Sequence, residues 1–230
     1  MMPASVRLSI ISIVNEVQRR LGVNPTAALD STKHSRMLMQ MLNEIIAEVN
    51  DYGRWQDLYE EVIVTASSSI RQYVVRSATR EIQSIIEVSF DGQPAQLENR
   101  PIEDIRRLRR VGSTGNPRQY AVIGVDASAN PIIEVFPMPT TSQHDKTFDI
   151  AVQAKEPLYA VADLSAVPTY SANVLLQGLY AKALLEENGG ERTNQYEMAF
   201  REFQNLTQQA QRRFTADTED VMTFTPHRWG

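Results

Sequence analysis

The sequence predicts an α+β protein: an antiparallel helical bundle made from both chain ends, with a β-rich domain inserted between them. Three observations carry this expectation. Apolar residues recur at helical spacing at both ends of the chain, the period falls to two in the middle, and turn residues cluster where the period changes. The expected domains are a helical bundle over 1–53 and 167–214, an inserted β-rich domain over 54–166 and a C-terminal tail over 215–230.

The first helix is expected over about 5–21, with Val6, Ile10, Ile13, Val14, Val17 and Leu21 on one face and Gly22 and Pro25 ending it. A second follows Asp30-Ser31-Thr32, carries Leu38, Met41, Leu42, Ile45, Ile46 and Val49 on one face, and stops at Gly53. Met37, Met39 and Met41 read as core filling, with an adaptable contact surface as the alternative. After Trp55 the pattern alternates. Strands are expected over 59–65, 70–76 and 82–90, the last closed by Asp91-Gly92, and they read as antiparallel. Pro101 suits the first turn of a short helix over about 102–110, with Glu103 and Asp104 near its positive end and arginines near its negative end. Gly112, Gly115 and Pro117 mark a turn before strands over 119–125, 132–136 and 147–154. The helical period then returns. Val174, Leu175, Gly178, Leu179, Lys182 and Ala183 line a helix over about 171–187, and the turn Asn188-Gly189-Gly190 leads to another over about 191–213, with Tyr196, Ala199, Phe200, Phe203 and Leu206 on one face. So short a turn makes the pair an αα-hairpin.

Composition bounds the function classes. A chain of 230 residues with 42% hydrophobic content buries roughly 70% of its unfolded surface, enough for one sizeable domain or two small ones sharing a core. Its zero cysteines exclude disulfides, thiolate catalysis and thiolate zinc sites. No stretch of 18 apolar residues is present, so no membrane partner is expected, and the run from Leu8 to Val17 is broken at helical rather than signal-peptide spacing. The net charge of -5 argues against a general nucleic-acid binder, although it does not exclude a local basic face.

No catalytic or metal constellation is legible, and no cofactor is expected. His34, His144 and His227 fall in unrelated segments without ligand spacing. Gly112 to Pro117 lacks the lysine and hydroxyl of a phosphate loop and leads into a strand, so it reads as a turn. Ser67-Ser68-Ser69 reads as a hairpin connection. The enzyme alternative is a hydrolase whose site forms only in the fold, using His144 with Asp145 or Asp149, but it has no positioned nucleophile. Arg106, Arg109 and Arg110 share a helix face at i+3 and i+4 spacing while Arg107 points elsewhere. Such a face can meet a phosphate backbone or an acidic partner; the plain alternative is a solvated face that complements the helix dipole.

Several motifs occur in a familiar order: Leu21-Gly22-Val23-Asn24-Pro25, Asn50-Asp51-Tyr52-Gly53-Arg54-Trp55, Gly115-Asn116-Pro117-Arg118-Gln119-Tyr120, Ile133 to Pro139, and Asn188-Gly189-Gly190. Together they span most of residues 5–213 and resemble the head-to-tail adaptors of tailed phages, of the tail tubular protein A type. The resemblance implies a podovirus-like virion structural protein without enzymatic residues. It implies a homo-oligomeric ring, a dodecamer, located at the head-tail junction and assembled in the host cytoplasm. The implied partners are the portal protein, tail or nozzle proteins, and DNA that passes non-specifically along a channel the ring prolongs. Arg106, Arg109 and Arg110 would then supply channel or partner charge. The segment beyond Arg213 matches no family motif, yet the C-terminal segment of such adaptors attaches to the portal. This points to Phe224, His227, Arg228 and Trp229 as portal-binding residues, with folding back onto the helices as the alternative. A non-viral scaffold or chaperone is the remaining reading.

Overall fold

The computed structural model describes residues 7–91 and 95–222. Among these the order is α1 (Ile10–Arg20), α2 (Lys33–Asp51), β1 (Tyr59–Thr65), β2 (Gln72–Val74), β3 (Ile82–Phe90), β4 (Glu98–Asn99), α3 (Ile102–Val111), β5 (Gln119–Val125), β6 (Pro131–Phe136), β7 (Thr147–Ala154), α4 (Ala172–Glu187) and α5 (Asn194–Met222). The fold is α+β. The chain forms two compact units, Met1–Asp57 with Glu156–Gly230, and Leu58–Lys155.

In the first unit α4 packs against α1, α2 and α5. A helix covered on three sides must be apolar nearly all round. Leu175, Leu176, Leu179, Ala181 and Leu184 are accordingly all buried, though they point in different directions around the axis. The helix expected over about 171–187 is thus a core helix, apolar beyond the positions from Val174 to Ala183. Lys182 reaches its rim, where Nζ donates to Glu44 Oε2 on α2 at 2.6 Å. At the centre stands Gly178. A Cβ there would lie 2.9 Å from a ring carbon of Phe203 on α5 and 3.0 Å from Ile45 Cγ2 on α2. The missing side chain is what lets both neighbours approach.

Three asparagines extend the unit's backbone hydrogen bonding. A side-chain amide offers one acceptor and a donor group, so it can pair with a peptide as another peptide would. Asn43 Nδ2 donates to Tyr159 O and its Oδ1 accepts from Tyr159 N, each at 2.9 Å. On the same face and two turns further along α2, Asn50 does the same to Glu156, at 3.1 and 2.9 Å. Asn15 pairs likewise with Thr26, at 3.1 and 2.9 Å. Residues 156–166 thus belong with the helices, and the same segment caps α1. Ile10 N donates to Ala166 O and Ile11 N to Leu164 O, at 2.8 and 3.2 Å. These bonds satisfy amides that an earlier helical turn would otherwise hold. They account for the start of α1 at Ile10, with residues 7–9 outside the helix, rather than near residue 5.

The other helix ends follow local chemistry. Thr32 and Ser35 form a reciprocal capping box at the start of α2. The end of α4 is a Schellman turn, with Gly190 N donating to Leu185 O and Gly189 N to Glu186 O; Gly189 has φ of 63°, a conformation that glycine adopts without cost. Thr193 Oγ1 accepts from Tyr196 N at the start of α5. That helix continues to Met222, well past the expected stop at Arg213. Loss of the apolar stripe does not itself end a helix, and no Gly or Pro intervenes between Gly190 and Pro226.

The second unit holds two sheets, ordered β1-β7-β3 and β2-β6-β5-β4. Val62, Val88, Phe90, Phe148, Ile150 and Val152 from the first sheet share one core with Tyr73, Tyr120, Ile133 and Val135 from the second. Phe148 links them, its ring centroid 4.9 Å from Tyr73 and 4.8 Å from Phe90. Most pairs are antiparallel as expected, but β4 runs parallel to β5. This short strand, too brief to show a period, was not legible. The β5–β6 hairpin is closed by Asp126, whose Oδ1 accepts from Ser128 N and Asn130 N, both at 2.9 Å. Arg76 donates to its other oxygen at 3.2 Å. The Asn130 amides foremost, with Ser128 and Arg76, hold the Asp126 carboxyl down to about 2, from an ordinary 3.8.

Two outcomes are expected. Phe203→Ala costs about 3–5 kcal/mol through the cavity it leaves, and Gly178→Ala costs about 1–3 kcal/mol by overpacking. The double variant loses less than the sum, because the truncated ring makes room for the methyl group; equilibrium urea denaturation of the three variants checks this cycle. For Asp126, the depressed value means that its contribution to the hairpin is complete above the unfolded value and lost as pH falls from about 4 to about 2. NMR titration of the Ser128 and Asn130 amides should report that low midpoint, and Asp126→Ala should abolish the titration.

Candidate partner-binding site

The arginine segment forms α3, which rests on β5 and β6. Ile105, 1% exposed, anchors it, while Ile102 and Leu108, one turn to either side, are half-buried. Ala121 and Glu134 are directly paired across β5 and β6, on the face opposite the shared core. Both are buried, so α3 covers the outer face of this sheet. Glu103 and Asp104 lie in its first turn and Arg109 and Arg110 in its last, an order that complements the helix dipole.

The four arginines have different roles. Arg109 stays largely exposed, but its Nη1 lies 3.8 Å from Oε1 of Glu134, whose side chain is 5% exposed. Gln72 donates to the other carboxylate oxygen at 3.3 Å. Arg107 lies 3.8 Å from Asp104, one turn back. Arg106 and Arg110 are exposed and, among the described residues, have no ion-pair partner. The three-residue face expected from spacing is therefore reduced to two free guanidinium groups beside Val111, which is 79% exposed. Sequence reasoning missed the pairing with Glu134. The signal was a single charge inside the apolar run Pro131–Phe136, which needs a counter-charge from whatever covers its face.

The remaining candidates resolve into structural roles. Gly115 N donates to Met138 O at 2.9 Å and Gly112 N to Arg109 O at 3.2 Å, so these amides of the 112–117 turn are spent internally. A shallow groove of about 470 Å³ adjoins this turn, lined by Leu108, Arg118 and Phe136 among others. His144 is half-exposed, its Nε2 3.5 Å from Asp145 Oδ1, and its Nδ1 accepts from the Ser68 amide at 3.4 Å. Asp149 lies on β7 with its side away from the core, paired across the sheet with Ile63. No group of His and acidic residues among those described is arranged to hold a metal ion, and no described helix is long and apolar enough to cross a membrane. Phe224, His227, Arg228 and Trp229 lie outside the described residues.

On α3 the geometry leaves two exposed guanidinium groups, Arg106 and Arg110, without an ion-pair partner among the described residues. Residues 9–227 match the SU10 adaptor protein family. The chain belongs to that family. The motifs that carry the adaptor resemblance, from Leu21 to Gly190, all fall inside the match. None of the curated proteins matches the chain. Among solved structures, a chain from the neck of an empty GTA particle computed with C6 symmetry is 14% identical over 81% of this chain and 84% of that chain, with a TM-score of 0.24. The family assignment therefore rests on the sequence match.

The differing arginine environments have a measurable consequence. Arg109→Gln should cost about 1 kcal/mol, because it leaves the buried Glu134 carboxylate without its nearby counter-charge. Arg106→Gln combined with Arg110→Gln should stay within about 0.5 kcal/mol of the parent. Denaturation midpoints at constant slope separate the two.

Proposed function

We propose that this member of the SU10 adaptor family is a virion structural protein, the head-to-tail adaptor that forms a ring between portal and tail and prolongs the DNA channel, working by shape and binding without catalysis. Family membership over residues 9–227 carries the reading. In it, the helices of both chain ends form an antiparallel bundle with the β-rich domain inserted, and copies associate as a ring, a dodecamer. Portal and tail or nozzle proteins are its partners, DNA passes without sequence recognition, and assembly takes place in the host cytoplasm. Two features support a subunit with lateral contacts. Leu158, Val167 and Met198 are 62%, 47% and 74% exposed on the helical unit, apolar surface that association can bury. Arg106 and Arg110 offer partner or channel charge, whereas Arg109 is engaged with Glu134.

Portal attachment is assigned to the C-terminal tail, with Phe224 and Trp229 as apolar anchors, Arg228 pairing with a carboxylate and His227 beside them. Because α5 is described as far as Met222, the deletion that leaves the described helix intact removes residues 223–230. The full chain should co-sediment with portal rings, and the truncated chain should lose this binding while keeping its thermal midpoint within about 2 °C. A full-length chain that ignores portal rings overturns the adaptor reading; a truncated chain that binds normally overturns the role of the tail.

A further inference from the structure

The outer face of the β1-β7-β3 sheet is the counterpart of the arginine helix. Strand register sets its rows. Val62, Ile150 and Val88 point into the shared core, so Glu61, Ala151 and Glu87 form the adjacent outward row, and Ile63, Asp149 and Ser89 the next. Glu61 is exposed, while Glu87 and Asp149 are half-buried. Among the described residues none of these three carboxylates has an ion-pair partner. Ile63 is 66% and Tyr59 47% exposed on the same face. β1 is also an edge strand, with β7 on one side only.

Inside this unit the layers run α3, then the β2-β6-β5-β4 sheet, then the core, then the β1-β7-β3 sheet. The free arginines and the free carboxylates therefore look out in opposite directions from one stack of layers. Each face repels a second copy of itself, so a two-fold symmetric contact is disfavoured. The two faces match when one copy follows another in the same orientation, and a repeated head-to-tail contact closes into a ring when its rotation permits. Val111, at the arginine end, supplies the apolar counterpart of Ile63.

We infer that the Arg106–Arg110 face of α3 in one copy docks on the Glu61, Glu87 and Asp149 face of the next. The inference rests on the ring-forming adaptor reading and names the contact that joins the β-rich units. Charge reversal on either side tests it. One variant carries Arg106→Glu and Arg110→Glu, and the other carries Glu61→Lys, Glu87→Lys and Asp149→Lys; should the latter fail to fold, Glu61→Lys alone, at an exposed edge position, replaces it with a smaller effect in the same direction. Sedimentation velocity over a concentration series is expected to show association of the parent chain. Each variant alone should associate about 100-fold more weakly or worse, since like charges then face each other. An equimolar mixture of the two should recover parental association, because every contact in an alternating assembly again pairs opposite charges. A parent that remains monomeric, a variant that associates like the parent, or a mixture no stronger than its components overturns the proposal; a shift produced only by added DNA assigns the arginines to the nucleic acid instead. Portal co-sedimentation of the parent is read separately, so the contact can fail while the adaptor reading stands, and the reverse.

Discussion

The helical unit depends on the absence of a side chain at Gly178. Phe203 and Ile45 reach toward that point from two different helices, and a methyl group there would meet both inside normal contact distance. Close approach on two sides leaves α4 little solvent-facing surface, and this explains why its sequence is apolar around almost its whole circumference. It also places Lys182 at a rim where its ammonium group stays partly hydrated and meets Glu44. The Glu44 carboxyl is lowered from its ordinary value first by that hydrogen bond, against an opposing effect of burial. Packing density and surface charge are thus set by the same helix geometry.

A second constraint is the peptide backbone between β7 and α4. The connection has turns but no helix or strand over residues 155–171, and a segment of that length needs further partners for its buried amides and carbonyls. Asn43 and Asn50 supply them from α2, while the first amides of α1 use the carbonyls of Leu164 and Ala166. Glu156 completes the arrangement from the segment itself: its Oε1 accepts from Thr169 N at 2.8 Å and from the Tyr159 hydroxyl. Order here comes from polar groups at a few positions, in contrast to the apolar contacts that hold α4.

Periodicity made most elements readable, because each half-buried helix or strand repeats its environment along its length. α1, α2 and all but one of the strands were legible on that ground. What lacked a repeat was hidden. Asn43 and Asn50 look like ordinary polar-face residues until the segment they bind is in place, and β4 is two residues long. The far end of α5 carries Asp217, Glu219 and Asp220 without an apolar stripe, so pattern alone suggested a break that backbone chemistry does not require. For the site, charge spacing identified the arginine helix and its orientation to the dipole. It could not assign Arg109 to Glu134, since those residues meet only after a helix covers a sheet. The carboxylate face was hidden for the same reason: Glu61, Glu87 and Asp149 come from three strands whose order is a property of the fold.

The strand-rich unit begins at β1 and ends at β7, and these two strands are direct neighbours, with Tyr59 opposite Gln153. Paired residues in an antiparallel ladder sit about 5 Å apart. The two covalent crossings into this unit therefore lie side by side, as the wires of one plug do. A gene segment encoding 58–155 can be exchanged for another whose ends are similarly close without redrawing the chain path on either side of the cut. Diversification of the strand-rich unit can then proceed by replacement of a cassette, while the sequence around Gly178 is inherited unchanged.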